Sequence, residues 1–120
     1  MDKTFLLLGA LAAFLAVALG AFGAHGLRGR LSPEMLSVFQ TGVQYHMAHA
    51  LALILVSAIM GRMSGWLIQT AGWSFVAGIV LFSGSLYALA ISGVTILGAV
   101  TPIGGLAFLI GWACLAFAAF

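Results

Sequence analysis

Charge is the property that this sequence most lacks. Its 120 residues include only four basic and two acidic side chains, and residues 63–120 contain none of them. A water-soluble domain is about a quarter charged, because a charged surface keeps it dispersed. A half-chain without charge must therefore face lipid, and the sequence predicts an integral membrane protein.

Cysteine and acidic residues are also scarce. The single cysteine, Cys114, cannot form an intramolecular disulfide, and its apolar neighbours are typical of a packing residue. Asp2 and Glu34 are the only acidic side chains, and neither lies inside an apolar segment. The chain therefore has no pair of catalytic carboxylates and no nucleophile–base–acid triad. For this reason we do not expect an enzyme.

Apolar segments of membrane-spanning length fill most of the chain. At roughly 20 residues per crossing, a chain of this length allows four helices and little else. We expect one domain with helices at about residues 4–27, 33–60, 65–92 and 102–120. The predicted fold class is all-α, a polytopic membrane protein built as an antiparallel bundle of four transmembrane helices. The first segment also resembles a signal peptide, but its apolar run is longer than a signal core, so we expect a retained helix.

Local patterns predict where these helices begin and pack. Ser32, Pro33 and Glu34 are typical of a helix start, with a serine N-cap and an acid in the first turn. Thr101 and Pro102 repeat the pattern and predict Thr101 as an N-cap. Mostly small residues recur at helical spacing and indicate close packing, at Gly9, Ala13, Ala16, Gly20 and Ala24, at Ala77, Leu81, Gly84 and Ala88, and at Ala107, Gly111, Cys114 and Ala118.

The basic residues flank apolar segments and form no patch for nucleic acid, so we expect a lipid bilayer as the surroundings and no nucleic-acid partner. Four crossings place both termini on one side, together with Lys3 and Arg62, while Arg28 and Arg30 lie on the other. Each side thus has two basic residues, and the positive-inside rule does not favour either orientation. Lys3 before the first helix favours cytoplasmic termini, as does Glu34 near the two arginines. We expect a multi-pass protein of the inner (plasma) membrane.

Polar side chains in such an apolar chain need an explanation, because an unpaired polar group in hydrocarbon costs several kcal/mol. At 100° per residue, Ser37, Gln40, Thr41 and Gln44 share one broad face of the second helix. Tyr45 and His49 continue the row from Thr41, and His46 points away from Gln44. Further polar residues that could join this row are His25, Ser83, Ser85 and Tyr87.

Several interpretations of these polar residues stay open. One is a pocket or proton-conducting path inside the bundle. Another is a metal site formed by His25, His46 and His49, or a haem held by His25 and His49, although the nearest acid is Glu34. A third is structural, with hydroxyl groups that bond their own or a neighbouring helix. We favour the pocket without a metal, and the sequence identifies no cofactor.

Four blocks of the sequence resemble a known family: LGAFGAHGL from residue 19, QTGVQYHMAHALAL from residue 40, LFSGSLYALAIS from residue 81 and TPIGGLAFLIGW from residue 101. They are similar to DUF423, a family of small bacterial inner-membrane proteins also labelled UPF0382 and related to the eukaryotic transmembrane protein 256. The resemblance touches every predicted helix. It implies a four-helix membrane protein with no established activity.

The resemblance also defines a candidate site. The family pattern includes residues that match His25, Gln40, Thr41, Tyr45, His49, Ser83, Ser85 and Tyr87, and it does not include His46. It implies a cluster of these eight residues, with no catalytic residue and no metal ligand. Our leading hypothesis is a polar pocket that binds a small ligand, an ion or a proton. The alternative is an accessory or oligomer-forming subunit of a larger membrane complex without chemistry of its own.

Overall fold

The protein folds into four long helices in the computed structural model, which describes residues 3–63 and 65–120. Helix α1 spans Thr4–His25, α2 spans Pro33–Ile59, α3 spans Trp66–Ser92 and α4 spans Thr101–Ala119. The described residues contain no β-strand and only one isolated bridge, between Arg28 and Leu31. The predicted all-α class is confirmed. Asp2 lies outside the described residues.

The helices have the length and surface of membrane spans. Four segments are long and apolar enough to cross a bilayer, the fourth being α4 with the preceding 3₁₀ helix, Thr95–Ala99. Large apolar side chains such as Phe14, Leu109 and Phe117 cover the outside. Such a surface would aggregate in water and is suited to lipid. The bundle is 47 Å long, which exceeds the roughly 30 Å hydrocarbon core of a bilayer.

The bundle consists of two helical hairpins. Helix α1 packs along α2, helix α3 packs along α4, and the hairpins meet mainly where α2 contacts α3. One apolar core includes Phe5, Leu53 and Phe75. A smaller one, towards the other end of α2, includes Phe39 and Ala90. Both cores involve α2, which positions two of the buried polar side chains, His46 and His49, while α3 positions Ser83 and Ser85.

Helices α1 and α2 approach closely because small residues of α1 face large residues of α2. A Cβ atom at Gly9 would lie 2.8 Å from Cγ1 of Ile54, and one at Gly23 would lie 2.8 Å from Cε1 of Phe39. Both contacts are closer than a real Cβ atom tolerates. Gly23, and not Ala24 as expected, completes the packed stripe, since Ala24 is exposed.

Helix α2 begins as its sequence predicts. Ser32 has an extended backbone conformation, and its hydroxyl accepts a hydrogen bond from the backbone N–H of Met35 at 3.1 Å. Pro33 follows in the first helical turn together with Glu34. This cap satisfies one of the free N–H groups at the helix start.

A π-helical turn interrupts α3. Residues Trp66–Gly78 and Gly84–Ser92 are α-helical, and Ile79–Ser83 form the π turn between them. Gly104 of α4 lies directly against this turn, and a Cβ atom there would overlap the backbone nitrogen of Phe82. The stripe expected along α3 is not a packed face, because Ala77 and Ala88 are exposed.

The predicted N-cap of α4 is wrong. The structure places the cap at Val100, without a side-chain hydrogen bond, and Thr101 is the first helical residue. The Thr101 hydroxyl instead bonds the hydroxyl of Ser85 on α3 at 2.6 Å. Pro102 still lies in the first turn, where its missing N–H costs nothing. The hydroxyl therefore joins two helices and does not cap one.

Candidate functional site

Helix α2 divides its polar residues between two faces. Gly42, His46 and His49 are buried, whereas Gln40 and Gln44 are exposed. Residues two apart lie about 200° apart around a helix, so Gln44 and His46 must face opposite sides. The inward face makes the hydrogen bonds of the bundle, and the outward face meets lipid.

His49 is held at both ring nitrogens. Its Nδ1–H donates to the backbone carbonyl of Tyr45 at 2.8 Å. Its Nε2 accepts from the indole N–H of Trp112 at 3.0 Å. A carbonyl can only accept and an indole N–H can only donate. The two bonds therefore require a neutral imidazole with its hydrogen on Nδ1.

Aromatic rings enclose the His49 imidazole. The Phe108 ring stacks on it with 3.6 Å between centroids and an interplanar angle of 11°. The Phe75 ring packs at 5.5 Å, and the Tyr45 ring is parallel at 6.3 Å. These contacts connect α2 with both α3 and α4. The imidazole is thus a packed and fully hydrogen-bonded part of the bundle.

His46 forms a second polar pair, with Tyr87 of α3. Nδ1 of His46 lies 2.8 Å from the Tyr87 hydroxyl. The Tyr87 ring lies over Gly42, where a Cβ atom would be 2.8 Å from Cε1, and it packs against Phe39 at 5.0 Å. His46 itself is only 4% exposed. A glycine on α2 therefore allows the tyrosine to reach the histidine one turn away.

A cavity of about 250 Å³ lies beside His46, between α1, α2 and α3. We call it the His46 cavity. Its walls are aliphatic, and His46 is the only polar residue among those that line it. Leu11, Leu15 and Val80 line it and are also exposed at the outer surface. The cavity therefore opens towards lipid and has one polar side chain at its inner wall.

Serine hydroxyls of α3 connect it to both of its neighbours. Ser83 is fully buried and donates to the carbonyl of Gly42 at 2.7 Å. Ser85 donates to the carbonyl of Phe82 at 2.9 Å. Because its one hydrogen is used there, Thr101 must be the donor in the hydroxyl pair with Ser85. These bonds tie α3 to α2 and to α4.

The structure brings together only some of the eight predicted site residues. Tyr45 and His49 lie in one cluster, Ser83 and Tyr87 approach α2 near Gly42, and Ser85 bonds α4. His25 is exposed as the last residue of α1, and Gln40 is exposed on α2. The Thr41 hydroxyl bonds the carbonyl of Ser37 on its own helix at 3.0 Å. His25, Gln40 and Thr41 therefore lie apart from the buried hydrogen bonds.

The donor set does not favour a metal. No three His, Cys, Asp or Glu side chains converge within residues 3–63 and 65–120. The lone pair of His49 that a haem iron or zinc would need is already used by Trp112. Within the described chain, His25 makes no side-chain hydrogen bond to the bundle. The histidines therefore belong to separate environments.

Sequence reasoning missed four features of this region: His46 as a site residue, Trp112 and Phe108 as partners of His49, and the π turn. Trp112 carried a usable signal, because an indole N–H inside an apolar helix needs an acceptor and His49 is one of few. His46 had the same signal as His49, a buried imidazole in need of a partner. Nothing in the sequence indicated the π turn.

Four apolar helices, joined by buried imidazole and hydroxyl hydrogen bonds, define a small polytopic membrane protein. Comparison with known sequences agrees with this class. Residues 19–105 match a family model described as protein of unknown function (DUF423). This match covers more than half of the chain, so the protein belongs to the DUF423 family and the predicted resemblance is confirmed.

Relatives match along nearly the whole chain. The UPF0382 membrane protein YwdK of Bacillus subtilis is 55% identical over 118 residues, covering 98% of this chain and 96% of the relative. SERP0230 of Staphylococcus epidermidis is 51% identical over 119 residues, covering 97% and 94%. SAB0533 of Staphylococcus aureus is 49% identical over 121 residues, covering 98% and 96%. No solved structure matches the chain.

Proposed function

We propose that this membrane protein binds a small amphiphilic molecule, which enters the His46 cavity from the bilayer. One observation carries the proposal: a buried histidine, hydrogen-bonded to Tyr87, is the only polar side chain among the residues that line the cavity, and the others are aliphatic. Binding sites for small molecules combine an apolar wall with a few fixed polar groups. The cavity has this combination and is accessible from lipid.

The chemistry of the walls favours an amphiphile over an ion. A bound ion needs several charged or oxygen ligands, and His46 is the only polar lining residue. Nδ1 of His46 is occupied by Tyr87, so a ligand would have to use Nε2 and share it with the backbone of Ala12. The backbone of Ala12, another lining residue, also lies within hydrogen-bonding reach of the imidazole. The ligand would place one polar group there and an apolar part between α1 and α3.

This proposal gives the eight residues predicted from the sequence three different roles. Tyr87 would orient His46. Tyr45, His49, Ser83 and Ser85 would hold the walls in place, because their bonds join α2, α3 and α4. His25, Gln40 and Thr41 would have no part in ligand binding.

Native mass spectrometry of protein released from its own membranes would test the proposal. We expect the wild type to carry a bound small molecule, and His46→Leu and Ala12→Leu to lose it. The first change removes the polar contact, and the second fills the cavity. Ala18→Leu, an exposed position on the same helix, is the matched control and should keep the added mass. A wild type without added mass, or equal added mass in all four proteins, would contradict ligand binding.

For its setting, we propose the inner (plasma) membrane with both termini in the cytoplasm. The even number of candidate spans and the position of Lys3 before α1 support this orientation. Fusions of green fluorescent protein and of alkaline phosphatase to the C-terminus would test it. Fluorescence without phosphatase activity is expected, and the reverse would place the C-terminus outside the cytoplasm.

A second candidate function is that of a subunit in a membrane assembly without chemistry of its own. A specific observation favours it: Gln40 and Gln44 project from α2 at the lipid-facing surface, and within the described chain their amides make no hydrogen bond. Its first test is the mass of the intact particle in lipid. A clean monomer would contradict this candidate and leave the ligand proposal unaffected.

A further inference from the structure

The exposed face of α2 forms a continuous ridge. Its residues recur every three or four positions and are all exposed, namely Ser37, Gln40, Gln44, Ala48, Leu51 and Leu55. We call this set the α2 ridge. Leu51 is 56% and Leu55 is 46% exposed. Spacing of three and four places side chains on one stripe of a helix, as in a seam between two helices.

The polar part of the α2 ridge extends into the membrane-spanning part of the helix. Val43 of α2 is level with Gly20 of α1, where a Cβ atom would lie 3.3 Å from Cγ1 of Val43. Gly20 is five residues before the end of α1 at His25, which is about 7 Å along the helix axis. Gln44, next to Val43, is therefore inside the span, and Gln40 is near its edge. An unpaired amide at that depth costs several kcal/mol, since lipid offers it no hydrogen bond.

We propose that the α2 ridge is the contact surface between two copies of this chain. An amide carries donors and an acceptor together, so two glutamines related by a two-fold axis satisfy each other. Ala48 next to Gln44 allows close approach of the helices. Leu51 and Leu55 extend the seam with interlocking apolar side chains. Lipid chains could cover the leucines, but they could not pair the amides.

The inference deepens the second candidate function and rests on it. Gln44 and His46 face opposite sides of α2, so a second copy on the ridge would leave the His46 cavity open. Association and ligand binding are therefore separable. Cross-linking reports the first and bound mass reports the second, so either can fail alone.

Cysteine cross-linking in native membranes tests the contact. In a Cys114→Ser background, Ala48→Cys places one thiol on the ridge, close to its counterpart across a two-fold axis. Ala18→Cys places a thiol on the lipid-facing side of α1 and is the matched control. With copper phenanthroline as the oxidant, we expect covalent dimers from Ala48→Cys and not from Ala18→Cys. Equal cross-linking of the two variants, or cross-linking of Ala48→Cys to a protein of different mass, would overturn the proposal.

A second measurement tests the glutamines themselves. Energy transfer between labelled copies in phosphatidylcholine vesicles gives the dissociation constant of the dimer. We expect Gln44→Leu to raise it about tenfold, because the paired amide bonds are lost. Gln69→Leu changes an exposed glutamine of α3, outside the ridge, and should leave the constant unchanged. An unchanged constant in Gln44→Leu, with native helix content by circular dichroism, would overturn the assignment of Gln44.

Discussion

Trp112 reaches His49 across the space between α4 and α2, and its indole N–H lies 3.0 Å from Nε2. The two helices make few direct contacts, because α2 packs mainly on α1 and α3. Side chains bridge the distance instead: Trp112 and Phe108 extend from α4 towards the imidazole. The histidine thereby connects the first helical hairpin with the second.

Removing the indole donor should weaken the bundle. Trp112→Phe keeps an aromatic ring but leaves Nε2 of His49 without a partner, which should cost about 1 kcal/mol of stability. Trp73→Phe is the control, since the Trp73 ring packs edge-on against Phe5 without a hydrogen bond in the described chain. The free energy of unfolding of both variants can be measured in mixed micelles, with circular dichroism as the signal. A larger loss in the control would contradict a role for the bond.

Two adjacent glycines of α4 should respond in opposite ways to the same change. Gly104→Ala would push a Cβ atom into the backbone of Phe82 at the π turn, and we expect a loss of roughly 1–3 kcal/mol. At Gly105 a Cβ atom would lie 3.8 Å from Cδ2 of Phe82, an ordinary contact. Gly105→Ala should be neutral or slightly stabilising, because alanine favours helix. Equal effects in the same unfolding assay would contradict the close approach of α3 and α4.

The buried hydroxyl of Ser83 should contribute more to stability than an exposed one. Ser83→Ala removes the bond to Gly42 of α2, which should cost about 0.6 kcal/mol, the average for such bonds in membranes. Ser92→Ala removes two local bonds at an exposed helix end, one that Ser92 donates to the carbonyl of Ala88 and one that it accepts from the backbone N–H of Val94. We expect no measurable loss there. Thermal unfolding of the two variants in the same detergent tests this difference. Equal unfolding midpoints would contradict a stabilising role for the bond between Ser83 and Gly42.

Capping of α2 gives a fourth prediction. Ser32→Ala removes the acceptor for the N–H of Met35 and should cost about 1 kcal/mol. The side chain of Ser37 is exposed and caps nothing, so Ser37→Ala is the control. Amide hydrogen exchange at Met35 should speed up in the first variant only. Unchanged exchange would mean that the cap contributes nothing to the start of α2.

The fold class was predictable from the sequence, because nearly uncharged apolar segments of membrane-spanning length form transmembrane helices. The sequence did not, however, predict whether the polar row of α2 faces the bundle interior or the lipid. Helical periodicity correctly places Gln40 and Gln44 on one face, but lipid and the bundle interior are both apolar. The contrast that orients a helix in water is therefore missing. Only the packed structure shows that this face is exposed while His46 and His49 are buried.

Two other failures have local causes. A π turn adds a residue to α3, which rotates the following residues by about 100° relative to a continuous α-helix. The expected stripe from Ala77 to Ala88 crosses this turn at Ile79–Ser83, so it cannot lie on one face. Thr101 resembles an N-cap in sequence, but Ser85 competes for its hydroxyl. Such a competition between local and distant partners is visible only in three dimensions.

The confinement of charge to the first hairpin has a consequence for biosynthesis. Arg62 is the last charged side chain of this sequence to be translated, and it precedes all of α3 and α4. The second hairpin contains no lysine or arginine to influence its own insertion. Under the positive-inside rule, any charge signal that directs the second hairpin must therefore come from the helices and loops that precede it.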